Sequence, residues 1–459
     1  MPNTFVIRNA MLLREGQLAR SDLAINDGKL VAIGPNLLGQ GKSIDAEGLI
    51  ATPGGVDPHA HIEQRSGMGL MNADTFETAT RSAALGGTTS VVSFAAQSKG
   101  QRLQEVVDDY ATRAQRGAMI DYAFHISLSD PSVAHFEDDL RALIQAGHRS
   151  VKVFTTYDIA LSDEQIERIL QIAGPAGALT CVHAEDDATL RSARNSLLSH
   201  GKTQPRYHAL ARPEAAEQRA VARICATSER LTAPVMIFHV SCLAAAQEVA
   251  AARRRGAPVF AETCPHYLFM TAEILDKPGV EGAKWMCSPP QRTERDQDAL
   301  WAASQDGTLD LVSSDHAPYR FDSTGKLRAG PNPPFPDIAN GLPGLETRMP
   351  LMFDAIISRN TLPTNTFETL TATAAADIYG LPNKGRLTPG ADADIVLWDP
   401  DRTHTYAAND LHDNVGYNPY EGHRVTGWPV DVFLRGERIV TDGKLTTEPG
   451  KGCWIDRSP

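Results

Sequence analysis

No stretch of this sequence approaches the roughly 18 uninterrupted apolar residues that a transmembrane helix needs. The N-terminal segment MPNTFVIRNA lacks a charged region followed by an apolar core, so no export signal is expected. Basic residues are in deficit. Against 56 Asp and Glu stand 44 Lys and Arg, and a net charge of −12 argues against nucleic acid or an anionic membrane as a partner. Cysteine is sparse: the six, at 181, 225, 242, 264, 287 and 453, form no C-x-x-C pair and are too few for a secreted disulfide scaffold. They are expected as reduced, mostly buried thiols. What these absences leave is a cytoplasmic enzyme with a small-molecule substrate.

What is present fits that expectation. Hydrophobic residues make up 42% and charged residues 22% of 459, enough for one large domain plus a smaller one. The first fifty residues read as short strands (TFVIRNAMLL, SDLAIND, GKLVAIG), with Asn26-Asp27-Gly28 as a hairpin turn. The last seventy repeat that texture in ADADIVLWD, PVDVFLRG and ERIVTDG. A small β-sandwich assembled from residues 1–50 and 389–459 is therefore expected around a different middle.

Between those ends, eight apolar runs alternate with amphipathic helical stretches: LIATPGGVD, TTSVVSF, DYAFHIS, SVKVF, LTCVHA, PVMIFHV, PVFAET and LDLVSSD. Ser162 and Gln165 make a capping box, and Gly86-Gly87 closes the helix DTFETATRSAAL. Strands apolar on both faces, each followed by a helix, predict a (β/α)8 TIM barrel over residues 51–388. A doubly wound open sheet is the alternative, but no G-x-G-x-x-G follows a strand.

In such a barrel, reactive residues sit at the C-terminal ends of strands. The first run ends in Asp57-Pro58-His59-Ala60-His61, and histidines at i and i+2 project to one face, as a shared metal requires. The fifth ends in His183, the sixth in His239 and the eighth in Asp315. Lys152 lies in the middle of HRSVKVFTTYD, where an unpaired ammonium is costly to bury. It either turns outward into an ion pair or loses its charge. Addition of carbon dioxide to the amine would give an anionic carbamate able to bridge two metal ions.

The stretches PGGVDPHAHIE, GGTTSVVSF, SVKVFTTYD, VHAE, HVSC, AETCPHYL, CSPP, SSDHAPY, NGLPGLETR and GADADIVLWDP resemble those of the hydantoinase and dihydropyrimidinase group of cyclic amidohydrolases, in order and over nearly the whole chain. The resemblance implies a binuclear zinc site. His59 and His61 would bind one ion with carboxylated Lys152 and Asp315, while His183, His239 and the same Lys152 would bind the other. It further implies that Tyr157 donates to the substrate carbonyl oxygen, that Ser288 and Asn340 hold the ureide edge, largely through backbone groups, and that Asp315 shuttles the proton. The implied reaction opens dihydropyrimidines or 5-substituted hydantoins to N-carbamoyl amino acids. Other rings (allantoin, dihydroorotate, a cyclic imide) or a non-catalytic dihydropyrimidinase-related scaffold are the alternatives. The group is commonly tetrameric, so a tetramer or dimer is expected, with NPYEGHRVTGWP as a candidate contact.

Departures from the pattern concern the substrate. Met68, Leu70 and Met71 are expected to line the substituent pocket together with Phe94 and residues 154–159, although the Met and Leu side chains could instead pack on the barrel rim. His266 is taken as packing, His316 as a candidate to orient Asp315, and Arg65 as a poor candidate for a substrate carboxylate. The Gly- and Pro-rich stretch from Tyr319 to Pro343 is expected as a lid or rim.

Overall fold

A computed structural model describes residues 4–14, 16–37 and 42–457. Residues 1–3, part of the segment in which no export signal was read, lie outside them. Two sheets account for the architecture. The first takes strands from both termini: β1 (Phe5–Arg14), β2 (Gln17–Asn26), β3 (Lys29–Gly34), β4 (Lys42–Asp45) and β5 (Ile50–Pro53). The chain then builds the second sheet: β6 (Gly55–Ala60), β7 (Thr88–Ala96), β8 (Asp121–Ser127), β9 (Ser150–Phe154), β10 (Leu179–His183), β11 (Val235–Ile237), β12 (Val259–Thr263) and β13 (Leu311–Val312). It returns to the first with β14 (Ile395–Thr405), β15 (Arg424–Leu434), β16 (Glu437–Thr441) and β17 (Lys444–Leu445).

The eight strands of the second sheet pair in parallel in the order β6 to β13. A parallel bridge between Ala60 and His316 joins the two ends, making the (β/α)8 barrel. All eight runs read as strands are present. The first is split, however: Ile50–Pro53 pairs with β14 in the terminal sheet, and only Gly55–Ala60 enters the barrel. The hand-over needs glycine, since a Cβ on Gly54 would sit 2.1 Å from Thr89 Oγ1.

The terminal sheet folds over its own core, with Ile7, Leu12, Leu23, Ile25, Ile395, Leu397 and Phe433 at its centre, as a β-sandwich. Its β2–β3 turn places Asp27 and Gly28 at φ 48° and 77°, as the Asn-Asp-Gly sequence demands. A buried ammonium pins sandwich to barrel: Lys384 Nζ bonds Asp121 at 2.6 Å and Asp392 and Asp394 at 2.8 Å each. Lys29 pairs with Asp392 and Arg435 with Asp121 as well, so three cations of the protein answer the three carboxylates. The C-terminal tail closes the opposite end of the barrel. Arg457, buried, donates to Phe124 O (2.7 Å), Ser150 Oγ (2.8 Å) and Gly147 O (3.2 Å).

The helix Asp163–Ala173 starts at the Ser162/Gln165 capping box, and Phe76–Leu85 ends at Gly86, followed by Gly87 at φ 91°. No helix among the described residues is long and apolar enough to cross a membrane. Five cysteines are buried, and Cys453 is exposed.

Candidate functional site

The C-terminal ends of the barrel strands open into a cavity of about 430 Å³. His59, His61, Lys152, Tyr157, His183, His239, Ser288, Asp315 and Asn340 all line it, so every residue singled out for chemistry is brought to one place. The means differ by strand. Lys152 projects from inside β9, and His183 is the last residue of β10. His239 and Asp315 lie just beyond the ends of β11 and β13, and the backbone turns left-handed at both, at φ 44° and 45°. Tyr157 adopts φ 73°, an unusual conformation for a bulky side chain. Strain of this kind is costly and collects at functional sites.

His59 Nε2 and His61 Nε2 lie 3.0 and 3.4 Å from Asp315 Oδ1, and the three residues form a group able to hold a divalent cation. Partners behind the imidazoles fix which nitrogen faces inward. His59 Nδ1 meets Glu262 at 2.5 Å, His61 Nδ1 meets Gln64 at 2.6 Å, and His183 Nε2 meets Glu185 at 2.7 Å. Such backing oxygens orient an imidazole, and the two carboxylates also raise its basicity as a ligand.

Lys152 is 1% exposed, and its Nζ lies 3.8 Å from the Phe238 ring centroid and 5.0 Å from that of Phe154. Lys152 Nζ, His239 Nδ1 and Asn340 Oδ1 are buried and have no hydrogen-bond partner among the described residues. Burial pushes the Lys152 ammonium down to about 8, with nearby Asp315 and Glu262 pulling the other way. Burial also lowers His183 to about 4 and His239 well below the usual imidazole range. Neutral imidazoles and a reachable neutral amine are the forms that metal ligation and carbamate formation require. Residues of one cavity wall that carry buried, unpartnered polar atoms fit divalent ions there.

Several expectations about the rim are corrected. Phe94 does not line the cavity but stacks beneath His61, ring centroids 4.4 Å apart. Of the loop residues, Met68 lines it, Leu70 packs with Tyr319 and Ala339, and Met71 points to solvent, 45% exposed. His316 does not orient Asp315: its Nε2 meets Asp74 at 2.9 Å, and its Nδ1 accepts from Gly344 N. His266 packs on Tyr267, as expected, and Arg65 is spent on Gly69 O. From the 319–343 stretch, Tyr319, Phe335, Pro336, Ala339, Asn340 and Gly341 reach the wall.

Sequence reading missed Glu185, Glu262 and Arg212. The first two stand in the quoted VHAE and AETCPHYL, where a carboxylate ending an apolar strand was the available signal.

A closed (β/α)8 barrel carrying histidines, a lysine and an aspartate at its strand ends defines a hydrolase-type centre. The chain belongs to the amidohydrolase family, whose model matches residues 50–439, and within it to the hydantoinases and dihydropyrimidinases. It is 39% identical to the D-hydantoinase of Ralstonia pickettii over 98% of both chains, and 37% identical to that of Geobacillus stearothermophilus over 99% of this chain and 97% of that one. Among solved structures, the dihydropyrimidinase of Brevibacillus agri NCHU1002 superposes with a TM-score of 0.95 at 38% identity, covering 99% of each chain.

Proposed function

We propose that this chain hydrolyses the cyclic amide bond of dihydropyrimidines and 5-substituted hydantoins, releasing N-carbamoyl amino acids. The observation that carries this reading is the convergence of His59, His61, Lys152, His183, His239 and Asp315 on the same cavity as Tyr157, Ser288 and Asn340. It agrees with the hydantoinase names of the relatives.

Two divalent ions would be held, one by His59, His61 and Asp315 and the other by His183 and His239, with Lys152 between them as a carbamate. Zinc suits an imidazole-rich donor set. The carbamate forms when the neutral Lys152 amine adds to carbon dioxide and releases one proton. When bound, the ions polarise the ring carbonyl and acidify a water to near neutrality. The remaining work belongs to the chain. Ser288 and Asn340 hold the ureide edge, and Tyr157 donates its O–H to the carbonyl oxygen as negative charge develops there. Asp315 accepts a proton from the attacking water and returns it to the ring nitrogen as the C–N bond breaks. The water oxygen ends in the new carboxyl group, which releases the water's second proton to solvent and leaves as the carboxylate. The segment 319–343 serves as a rim that covers bound substrate, residues 51–388 form the catalytic unit, and the protein works in the cytoplasm as a homo-oligomer.

The test is product formation from dihydrouracil by zinc-loaded protein grown with bicarbonate, beside Lys152→Ala. Turnover by the native protein, lost together with metal in the variant, is the expected result. A protein that binds no metal would sink the reading, whereas two bound ions without turnover would move the substrate to another ring. One observation favours a related ring: Arg194 lines the cavity mouth, whereas Arg191 beside it is paired with Asp187 and Arg65 does not reach it. If a carboxylated dihydropyrimidine is the better substrate, Arg194→Ala lowers its kcat/KM about tenfold and leaves that of dihydrouracil unchanged.

A further inference from the structure

Arg212 follows the short helix His208–Ala211, and its side chain, 11% exposed, reaches the cavity wall. Its carbonyl is held by the buried Arg292 guanidinium, which is itself paired with Glu217 at 3.0 Å. Its guanidinium makes two kinds of contact. Nε and Nη2 grip the Glu185 carboxylate at 3.1 and 2.5 Å, and Nη2 also donates to Tyr157 Oη at 3.1 Å. Glu185 Oε2, the oxygen that Nη2 grips, also meets His183 Nε2 at 2.7 Å.

A guanidinium has donors only, and a phenol has a single proton. Because Tyr157 Oη accepts from Arg212, it cannot donate to it, and the phenolic proton must find another acceptor. The remaining acceptors face the cavity that Tyr157 lines, where the Ser288 side chain stands beside the phenol and a substrate oxygen would compete with it for the proton. A cation on the phenol oxygen also polarises the O–H bond, strengthening its donation to an oxygen that gains charge during the reaction. Glu185 anchors the guanidinium so that this arrangement is set before substrate arrives.

Resting on the reading of the site as a cyclic amidohydrolase, we propose that Arg212 is a positioning residue that aims the Tyr157 hydroxyl proton at the scissile carbonyl. The side chain never touches substrate in this role. It converts a hydroxyl free to rotate into a directed donor, the preorganisation on which oxyanion stabilisation depends.

Arg212→Lys separates the two contacts. One ammonium keeps the charge opposite Glu185 but lacks the planar fork that spans carboxylate and phenol. In zinc-loaded protein assayed on dihydrouracil, Arg212→Lys should lower kcat about 10²-fold, change KM less than about threefold and retain the native metal content by elemental analysis. Tyr157→Phe should lose a similar factor. The double variant should fall no more than about threefold below Tyr157→Phe alone, because both changes remove the same donor. Losses that multiply, a native kcat in Arg212→Lys, or metal loss from that variant would each make Arg212 merely structural and overturn the assignment. Absence of turnover in the native protein would instead remove the reading of the site, and the inference with it.

Discussion

Lys326 is fully buried, with its Nζ donating to the carbonyls of Met286 (3.1 Å) and Ala339 (2.9 Å), the residues that lead into Cys287-Ser288 and Asn340. Burial pushes its ammonium down from 10.5 to about 7. The unfolded chain holds that proton more tightly, so between about pH 7 and 10.5 unfolding takes up a proton and stability rises with pH. The increment is up to about 5 kcal/mol at roughly 1.4 kcal/mol per unit. Lys326→Met lacks it. Denaturant titrations at pH 7 and pH 10 should show the native protein gaining stability relative to the variant at the higher pH. Equal gains would mean that Lys326 titrates normally. The carboxylate behind His59 yields a second expectation at this scale: Glu262→Gln should weaken zinc binding about 10- to 100-fold, read by chelator competition, with secondary structure unchanged.

The strand and helix elements were the most legible part of the sequence, and for a physical reason. Parallel barrel strands are buried on both faces, so SVKVF and LTCVH stand out as unbroken apolar runs, and Ser162 with Gln165 marks a helix start by local chemistry alone. The histidines, Lys152 and Asp315 were legible because strand ends converge in a barrel whatever the loops do. The loops were not. Whether Phe94 faces the cavity or supports His61 depends on register and packing from other strands, and His316 is captured by Asp74, 242 positions away. Loop geometry also carries a prediction. Gly341 adopts φ 146°, and a Cβ there would lie 2.2 Å from Ala317 O. Gly341→Ala should therefore displace Asn340 and raise KM at least about tenfold, with kcat less affected; an unchanged KM would show that Asn340 holds no substrate. If the 319–343 segment covers the cavity, a bound product analogue should slow its proteolysis.

For the molecule as a whole, the two ends of the barrel have different tasks. Reactive groups stand at one end, while Arg457 and Trp454 close the other, Trp454 packing on Tyr122, Phe124 and His148. Removing residues 453–459 should lower Tm by several degrees while leaving the KM of the folded fraction unchanged, since residues at that face of a barrel serve stability rather than chemistry. A KM change would show that the two ends communicate. The left-handed backbone at Tyr157, His239 and Asp315 has a consequence on a longer timescale. Met68, Ile159 and Leu190, which line the same cavity, have ordinary backbone angles and ordinary apolar side chains. Mutation can exchange them freely, whereas few residue types tolerate the three strained positions. Lineages of this enzyme can therefore drift towards new ring substituents one mouth residue at a time, with the hydrolytic step inherited intact.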